Sequence, residues 1–248
     1  MKNVRRLALF GAGGANHIRL IMRKFYLLLA VGCALLTSCA APRISSRAPQ
    51  LEIPQGTITV DGSAEDWGDY RQLTSLTSAH DHTTPDGTRV ALRYDNTKLY
   101  FLFEVTDPDI VSGKVESERD LFNHDRVEIF FSSDRKMSFY CGAEISETGV
   151  LDHGRDQSGK SSMDWNFKTL RHTTKRTAEG YVTEGSFDME ELRELGLIGR
   201  NGRVYIGIFR GDNPNDGTKY RWLSWVVADK LPRPNFHHPY SQGVAYLR

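Results

Sequence analysis

The chain has 248 residues, of which 39% are hydrophobic, 10% aromatic and 25% charged, with a formal net charge of +1. These proportions exclude a disordered tail, a collagen and a multi-span membrane protein. The charge is unevenly divided: residues 1–38 carry six basic side chains and no acid, which leaves 26 basic against 31 acidic groups in the rest. A mildly acidic body with no basic stripe argues against a nucleic-acid partner.

The first part of the chain, 1–38, reads as an export signal. Arg23 and Lys24 precede an apolar run from Phe25 to Leu36. Twelve residues fall short of the roughly 20 that span a bilayer but suit the apolar region of a secretory signal. The run ends in Leu36-Thr37-Ser38-Cys39, which resembles a bacterial lipobox and implies a lipid on Cys39, with the protein anchored in the cell envelope, on the outer membrane. An ordinary signal peptide with a chance cysteine is the competing reading. Met22 is the expected true start. Of the three cysteines only Cys141 lies in the body, so an internal disulfide is not available and the domain must stand on its core. Residues 39–56, with Pro42, Pro49 and Pro54, read as a lipidated flexible tether.

From residue 57 to 248 the pattern is one of short strands. Thr57–Val60 ends at the turn pair Asp61-Gly62. Arg89–Tyr94 alternates, Asp95-Asn96-Thr97 supplies turn chemistry, and Lys98–Thr106 follows as the partner strand. That partner is apolar on both faces, which predicts a central position in its sheet. Arg126–Ser132, Ser138–Ile145, Phe167–Thr173, Tyr181–Phe187, Val204–Phe209, Arg221–Ser224 and Val244–Leu247 complete the predicted set. One short helix is expected after Phe187, with Asp188 as N-cap, Glu191 three residues on, Phe187 and Leu192 as a hydrophobic staple, and Gly196 as the stop. The fold class is all-β, an antiparallel β-sandwich with one short helix.

Several segments, in order, resemble the family nine carbohydrate-binding modules: Ile58-Thr59-Val60-Asp61-Gly62 with Asp66-Trp67; Asp95 to Phe101 leading into Val105-Thr106-Asp107; Asn123-His124-Asp125-Arg126-Val127-Glu128-Ile129-Phe130-Phe131; Gly180 to Glu184; and Phe236-His237-His238-Pro239-Tyr240-Ser241-Gln242-Gly243. The resemblance implies an antiparallel sandwich that grips the end of a glycan chain between two aromatic rings. The C–H face of a sugar lies well on an aromatic plate, and its rim of hydroxyls needs polar partners.

Carried over by the motif, the two plates fall on Phe122 and Phe236, two phenyl rings expected to face each other across a slot, with Glu128 as the acidic sugar contact. Val127, Ile129 and Phe131 share the face suited to a core; Arg126, Glu128 and Phe130 share the other. Without the resemblance, Glu128 reads as a solvated strand carboxylate. Arg210, where the strand Val204–Phe209 gives way to Gly211-Asp212, is expected as a second polar contact, against the alternative of a surface ion pair. Trp165, Trp222 and Trp225 rank below the two phenylalanines, since a tryptophan in a sandwich is more often core; Trp165 and Trp222 are retained as sugar-binding candidates.

For metals, His80-x-His82 and His237-His238 lack a third ligand at recognisable spacing, and the two C-terminal histidines read instead as part of the binding rim. Asp107, Asp109 and Asp125 flank loops; Asp107 and Asp125 are the calcium candidates, with turn-forming aspartates as the alternative. No cofactor is required by this reading, and calcium is possible. Nucleophile-elbow, Walker and dinucleotide motifs are absent from the sequence. The expected function is non-catalytic carbohydrate binding by a cell-envelope lipoprotein, with a polysaccharide or oligosaccharide as ligand and a glycan hydrolase or importer as partner. Two alternatives remain open at this level: a haem or redox sandwich using His153, His172 or Met137, and an accessory with weak glycoside hydrolase activity, which would need two suitably spaced carboxylates.

Overall fold

Strict alternation of inward and outward side chains builds two facing sheets. The computed structural model describes residues 41–248 apart from 84–86, 115–117, 156–160, 163–164, 217–219 and 230. The export signal, Met22 and Cys39 lie outside the described residues. Among these, thirteen strands run in chain order: β1 (Gln50–Ile53), β2 (Thr77–Ser78), β3 (Thr88–Tyr94), β4 (Lys98–Thr106), β5 (Arg126–Ser132), β6 (Tyr140–Ser146), β7 (Val150–Arg155), β8 (Ser161–Ser162), β9 (Arg171–Arg176), β10 (Gly180–Asp188), β11 (Arg203–Asp212), β12 (Arg221–Ser224) and β13 (Gly243–Leu247). One helical turn, α1 (Glu118–Leu121), precedes β5, and a short helix, α2 (Met189–Glu194), follows β10.

The larger sheet has the order β1-β13-β11-β5-β6-β7-β8, with β12 pairing both β11 and β2; the smaller has the order β3-β4-β10-β9. All pairings between these strands are antiparallel except that of β1 with β13. Leu92, Leu99, Phe101, Phe103 and Val105 of the smaller sheet meet Val127, Ile129, Phe131, Ala143, Ile145, Ile206 and Ile208 of the larger one in a single buried cluster. Each of these side chains larger than alanine contributes roughly 1.5–3 kcal/mol on burial. The expected all-β sandwich is therefore the observed one.

Three local expectations are corrected. The tether read over 39–56 is part of the domain from Ile44 onward: Ile44 is fully buried, its carbonyl accepts from Arg135 Nε at 2.8 Å, and β1 pairs β13 from Gln50 to Ile53. Residues 57–60 form no strand. They lie as an extended cover on the outer face of β4, where Ile58 and Trp67 pack on Ala91, Tyr100 and Leu102. This cover explains why β4 is apolar on both faces, and β4 does sit centrally, between β3 and β10. The capping box before α2 does not close. Asp188 pairs with Lys98 Nζ at 2.7 Å, and Glu191 turns away to accept from the backbone N–H groups of Lys168 and Thr169. The helix nevertheless stops where expected, at Gly196 with φ of +72°, a conformation that favours glycine.

The cover is pinned by one buried carboxylate. Glu184 accepts from Trp67 Nε1 at 2.5 Å and from the backbone N–H groups of Gly62 at 2.6 Å and Asp61 at 3.1 Å. Trp67→Ala removes a nearly fully buried ring and one of these donors, so equilibrium denaturation should show a loss of about 3–5 kcal/mol. A loss below about 1 kcal/mol would mean the cover is not part of the cooperative unit.

Candidate functional site

On β5 the inward residues build the core, and the outward ones (Arg126, Glu128 and Phe130) are also buried. An outward strand face buried with charges on it needs a further layer above it, and three segments supply one. α1 delivers Phe122 at its end; β12, hydrogen-bonded to β11, presents Trp222 outward opposite Gly211; and residues 234–237 arch over the sheet. Together they enclose a cavity of about 140 Å³ lined by Phe122, Arg126, Glu128, Glu144, Trp222, Pro234, Asn235, Phe236 and His237.

Close approach at the cavity floor depends on glycine. Phe130 lies between Gly207 of β11 and Gly142 of β6 in register, and a Cβ on Gly142 would come within 2.3 Å of its ring. This lets Phe130 lie down among aromatic neighbours: Phe209 at 5.2 Å, His153 at 5.0 Å and His237 at 5.2 Å between ring centroids.

Arg126 is the electrostatic centre. Its Nε lies 2.8 Å from Glu144 Oε2, to which it donates, and 2.9 Å from Glu128 Oε1. Its Nη1 donates to the Leu121 carbonyl at 3.0 Å and to the Tyr220 hydroxyl at 2.5 Å. The guanidinium also lies over three rings, Trp222 at 5.3 Å, Tyr220 at 5.6 Å and Phe122 at 6.0 Å, an arrangement that favours a cation over the ring faces. Glu128 Oε1 is buried and, though close to Nε, receives no aligned hydrogen bond. Burial, and after it the Glu144 charge, push Glu128 above the usual carboxylate range, while Arg126 pulls it back. A buried acceptor without a hydrogen bond is costly. Here it belongs to a residue of the cavity wall.

Of the sequence-selected residues, Phe122, Glu128, Trp222 and Phe236 converge on this cavity. The two phenyl rings are not equivalent. Phe122 is 50% exposed at the rim, whereas Phe236 is only 5% exposed, stacked on Phe209 at 4.1 Å and 14° and edge-on to Trp222 at 5.3 Å. The expectation of two open phenyl plates is corrected accordingly: Phe236 is a wall, and the half-buried Trp222 is the aromatic side chain of the wall it backs.

Arg210 and Trp165 lie elsewhere. β11 continues to Asp212, so Arg210 stays in register on the inward face with Ile206 and Ile208. There its Nη2 donates to Asp107 Oδ2 and Asp212 Oδ1, each at 2.7 Å. Trp165 packs edge-on against Phe139 and Phe167 and covers Gly154.

The calcium candidates Asp107 and Asp125 do meet, joined by Asp212, with carboxylate oxygens within 4.8 Å of one another. All six of their oxygens are already acceptors. Asp107 takes Asp109 N–H and Arg210; Asp125 takes Val111 and Asn213 N–H; Asp212 takes Arg210 and Arg221. Calcium needs six to eight oxygens. Arg210 and Arg221 offset two of the three carboxylate charges, so the trio is held by protein donors as it stands. Burial pushes Asp125 up to about 6, against the pull of its two N–H donors.

Among the haem-type candidates, His172 lies on β9 of the smaller sheet, whereas Met137 and His153 pack against the outer aromatic cluster of the larger one. His238 caps the turn at Pro239–Ser241 by accepting from Tyr240 N–H at 3.1 Å. Sequence reasoning missed Glu144, Tyr220 and the central role of Arg126. Parity had put Arg126 on the right face, but the partner strand carrying Glu144 had no register until β5 and β6 were paired, Glu128 opposite Glu144.

The family model for carbohydrate family 9 binding domain-like proteins matches residues 60–248. The chain belongs to that family. Among solved structures, the protein is similar to a family 9 carbohydrate-binding module from Caldicellulosiruptor kristjanssonii in complex with glucose (TM-score 0.55, 16% identity, 81% of this chain and 96% of that one). The same comparison with its cellotriose complex gives TM-score 0.56 and 17% identity over 81% and 94% of the chains. A putative carbohydrate-binding protein from Bacteroides uniformis aligns with TM-score 0.62 and 12% identity over 81% and 100%. At these identities the likeness is one of fold. No curated protein matches the chain.

Arg126 holds two buried carboxylates at once. Breaking a buried ion pair from one side costs about 3–5 kcal/mol, and Arg126→Met should lose that much in chemical denaturation. Phe122→Ala, at the exposed rim, should lose about 1 kcal/mol or less. Equal losses from the two variants would contradict the assignment of Arg126 as the centre of the cluster.

Proposed function

We propose that this family 9 domain binds oligosaccharide without cleaving it, in the cavity on the outer face of β5. The observation that carries the reading is the Glu128 carboxylate oxygen, buried without a hydrogen bond in a residue that lines an aromatic-rimmed cavity. A sugar satisfies both halves of such a site: its C–H face lies against Phe122 and Trp222, and a hydroxyl donates to Glu128. At about 140 Å³ the cavity is small beside the ~300–1,000 Å³ of drug-sized pockets, which suits the end of a glycan chain better than its middle. The glucose and cellotriose held by structures of the same fold make these two sugars the natural first probes.

The wider setting belongs to the same proposal. Removal of 1–38 and lipidation of Cys39 would tie the domain to the outer membrane of a bacterial envelope. A domain without its own catalytic chemistry would there hold polysaccharide for a partner hydrolase or importer. The acidic trio around Arg210 acts as an internal strut, so sugar binding is independent of calcium.

Calorimetric titration with cellotriose tests the reading. Phe122→Ala should weaken binding by about tenfold, the loss of roughly one aromatic contact, with an unchanged circular dichroism spectrum. Added calcium should leave the affinity of the natural protein unchanged. Wild-type affinity in Phe122→Ala and in Glu128→Gln together would place the sugar elsewhere.

A further inference from the structure

Beside the sugar cavity stand three side chains that the proposed function does not use as sugar contacts. Glu144 comes from β6, His153 from β7, and His237 from the arch that roofs the cavity. One ligand atom from each lies within 4.8 Å of the other two. Glu144 and His153 are buried and His237 is half-buried. The carboxylate of Glu144 is divided: Oε2 accepts from Arg126, and Oε1 faces His153 Nδ1 at 3.8 Å. The two imidazoles stand with centroids 5.3 Å apart at 63°.

We propose that Glu144, His153 and His237 form a binding site for a divalent transition metal, zinc being the best match. Two imidazoles and one carboxylate are the donor set of open zinc sites, in which the fourth position is left to water or a ligand. Imidazole selects zinc and its neighbours over calcium or magnesium, which take oxygen ligands. Glu144 is held in place for this role, since its Oε2 is fixed by Arg126 Nε at 2.8 Å. Arg126 then acts on the metal's carboxylate ligand from behind, as outer partners of metal ligands commonly do.

The fourth position opens on the cavity, because Glu144 and His237 both line it. Tetrahedral ligand atoms about 2.0–2.1 Å from zinc lie roughly 3.3 Å apart, so binding draws the three groups together by up to about 1.5 Å. His237 is the half-buried member on the roof, and its movement pulls the arch onto the sheet. The metal therefore clips the cavity roof to strands β6 and β7. The site was invisible to motif reading because its ligands stand at 144, 153 and 237, on three separate elements.

The inference stands apart from the sugar reading and is tested without sugar. Full chain stripped with EDTA and titrated with zinc against a chromogenic chelator should take up one ion per chain, and its melting temperature should rise with free zinc. His237→Ala, which removes the most accessible ligand and is least able to disturb the fold, should lower zinc affinity by about 100-fold and abolish the thermal shift. Anomalous diffraction at the zinc edge should place the ion between Glu144, His153 and His237. Uptake below one-tenth of an ion per chain at micromolar free zinc would overturn the proposal. So would equal uptake by His237→Ala, or an anomalous peak at His80 and His82.

Discussion

A guanidinium and two carboxylates buried on the outer face of a sheet are the constraint around which this protein is arranged. An outward strand face ordinarily keeps its charges in water, where they cost nothing. Arg126, Glu128 and Glu144 are instead covered, and buried charges persist only when they are paired and hydrogen-bonded. The pairing dictates much of the surrounding structure. α1 must end where the Leu121 carbonyl can accept from Arg126. Tyr220 must offer its hydroxyl while donating onward to the His124 carbonyl. Three rings must stand around the cation. The cavity is the space this shell leaves open.

The domain carries a second buried cation that serves as a useful contrast. Arg210 lies on the inward face of β11, and its guanidinium ties together strand ends and loops through Asp107 and Asp212, with Asp125 beside them. There every carboxylate oxygen has a donor, and Arg210 lines none of the cavity described above. Around Arg126 one oxygen of Glu128 is left without a hydrogen bond. The same chemistry, arginine among acids, supplies every carboxylate oxygen in one place and leaves an acceptor of Glu128 short in the other, and that second cluster is the one beside the aromatic rim.

Much of this fold was legible in the sequence because alternation is a strong signal. β3, β4, β5 and β10 stand close to where their patterns put them, and the two-faced apolar character of β4 marked a central strand. Short strands without alternation left less trace: β1 hides in a proline-containing stretch that reads as tether, and β2 and β8 are only two residues long. The site was legible in part. Motif order brought Phe122, Glu128 and Phe236 to attention, and the structure brings them to one cavity. Arg210 was misread because β11 was taken to end at Phe209. Carried three residues further, the same parity that makes Ile206 and Ile208 core would have assigned Arg210 to the inward face. Phe236 was expected open because a sequence does not reveal that Phe209 will stack on it. Glu144 and His153 became visible only through the register between β5, β6 and β7.

The central claim is that the ligand occupies the outer face of β5, against the Arg126 cluster. Its most direct test is a cellotriose titration followed by nuclear magnetic resonance on isotope-labelled protein. The account predicts saturable shifts of the Trp222 indole N–H, the Arg126 Nε–H and the Glu128 backbone amide, with the Trp165 indole unmoved. Shifts centred on Trp165 or on the smaller sheet, with Trp222 and Arg126 silent, would contradict it.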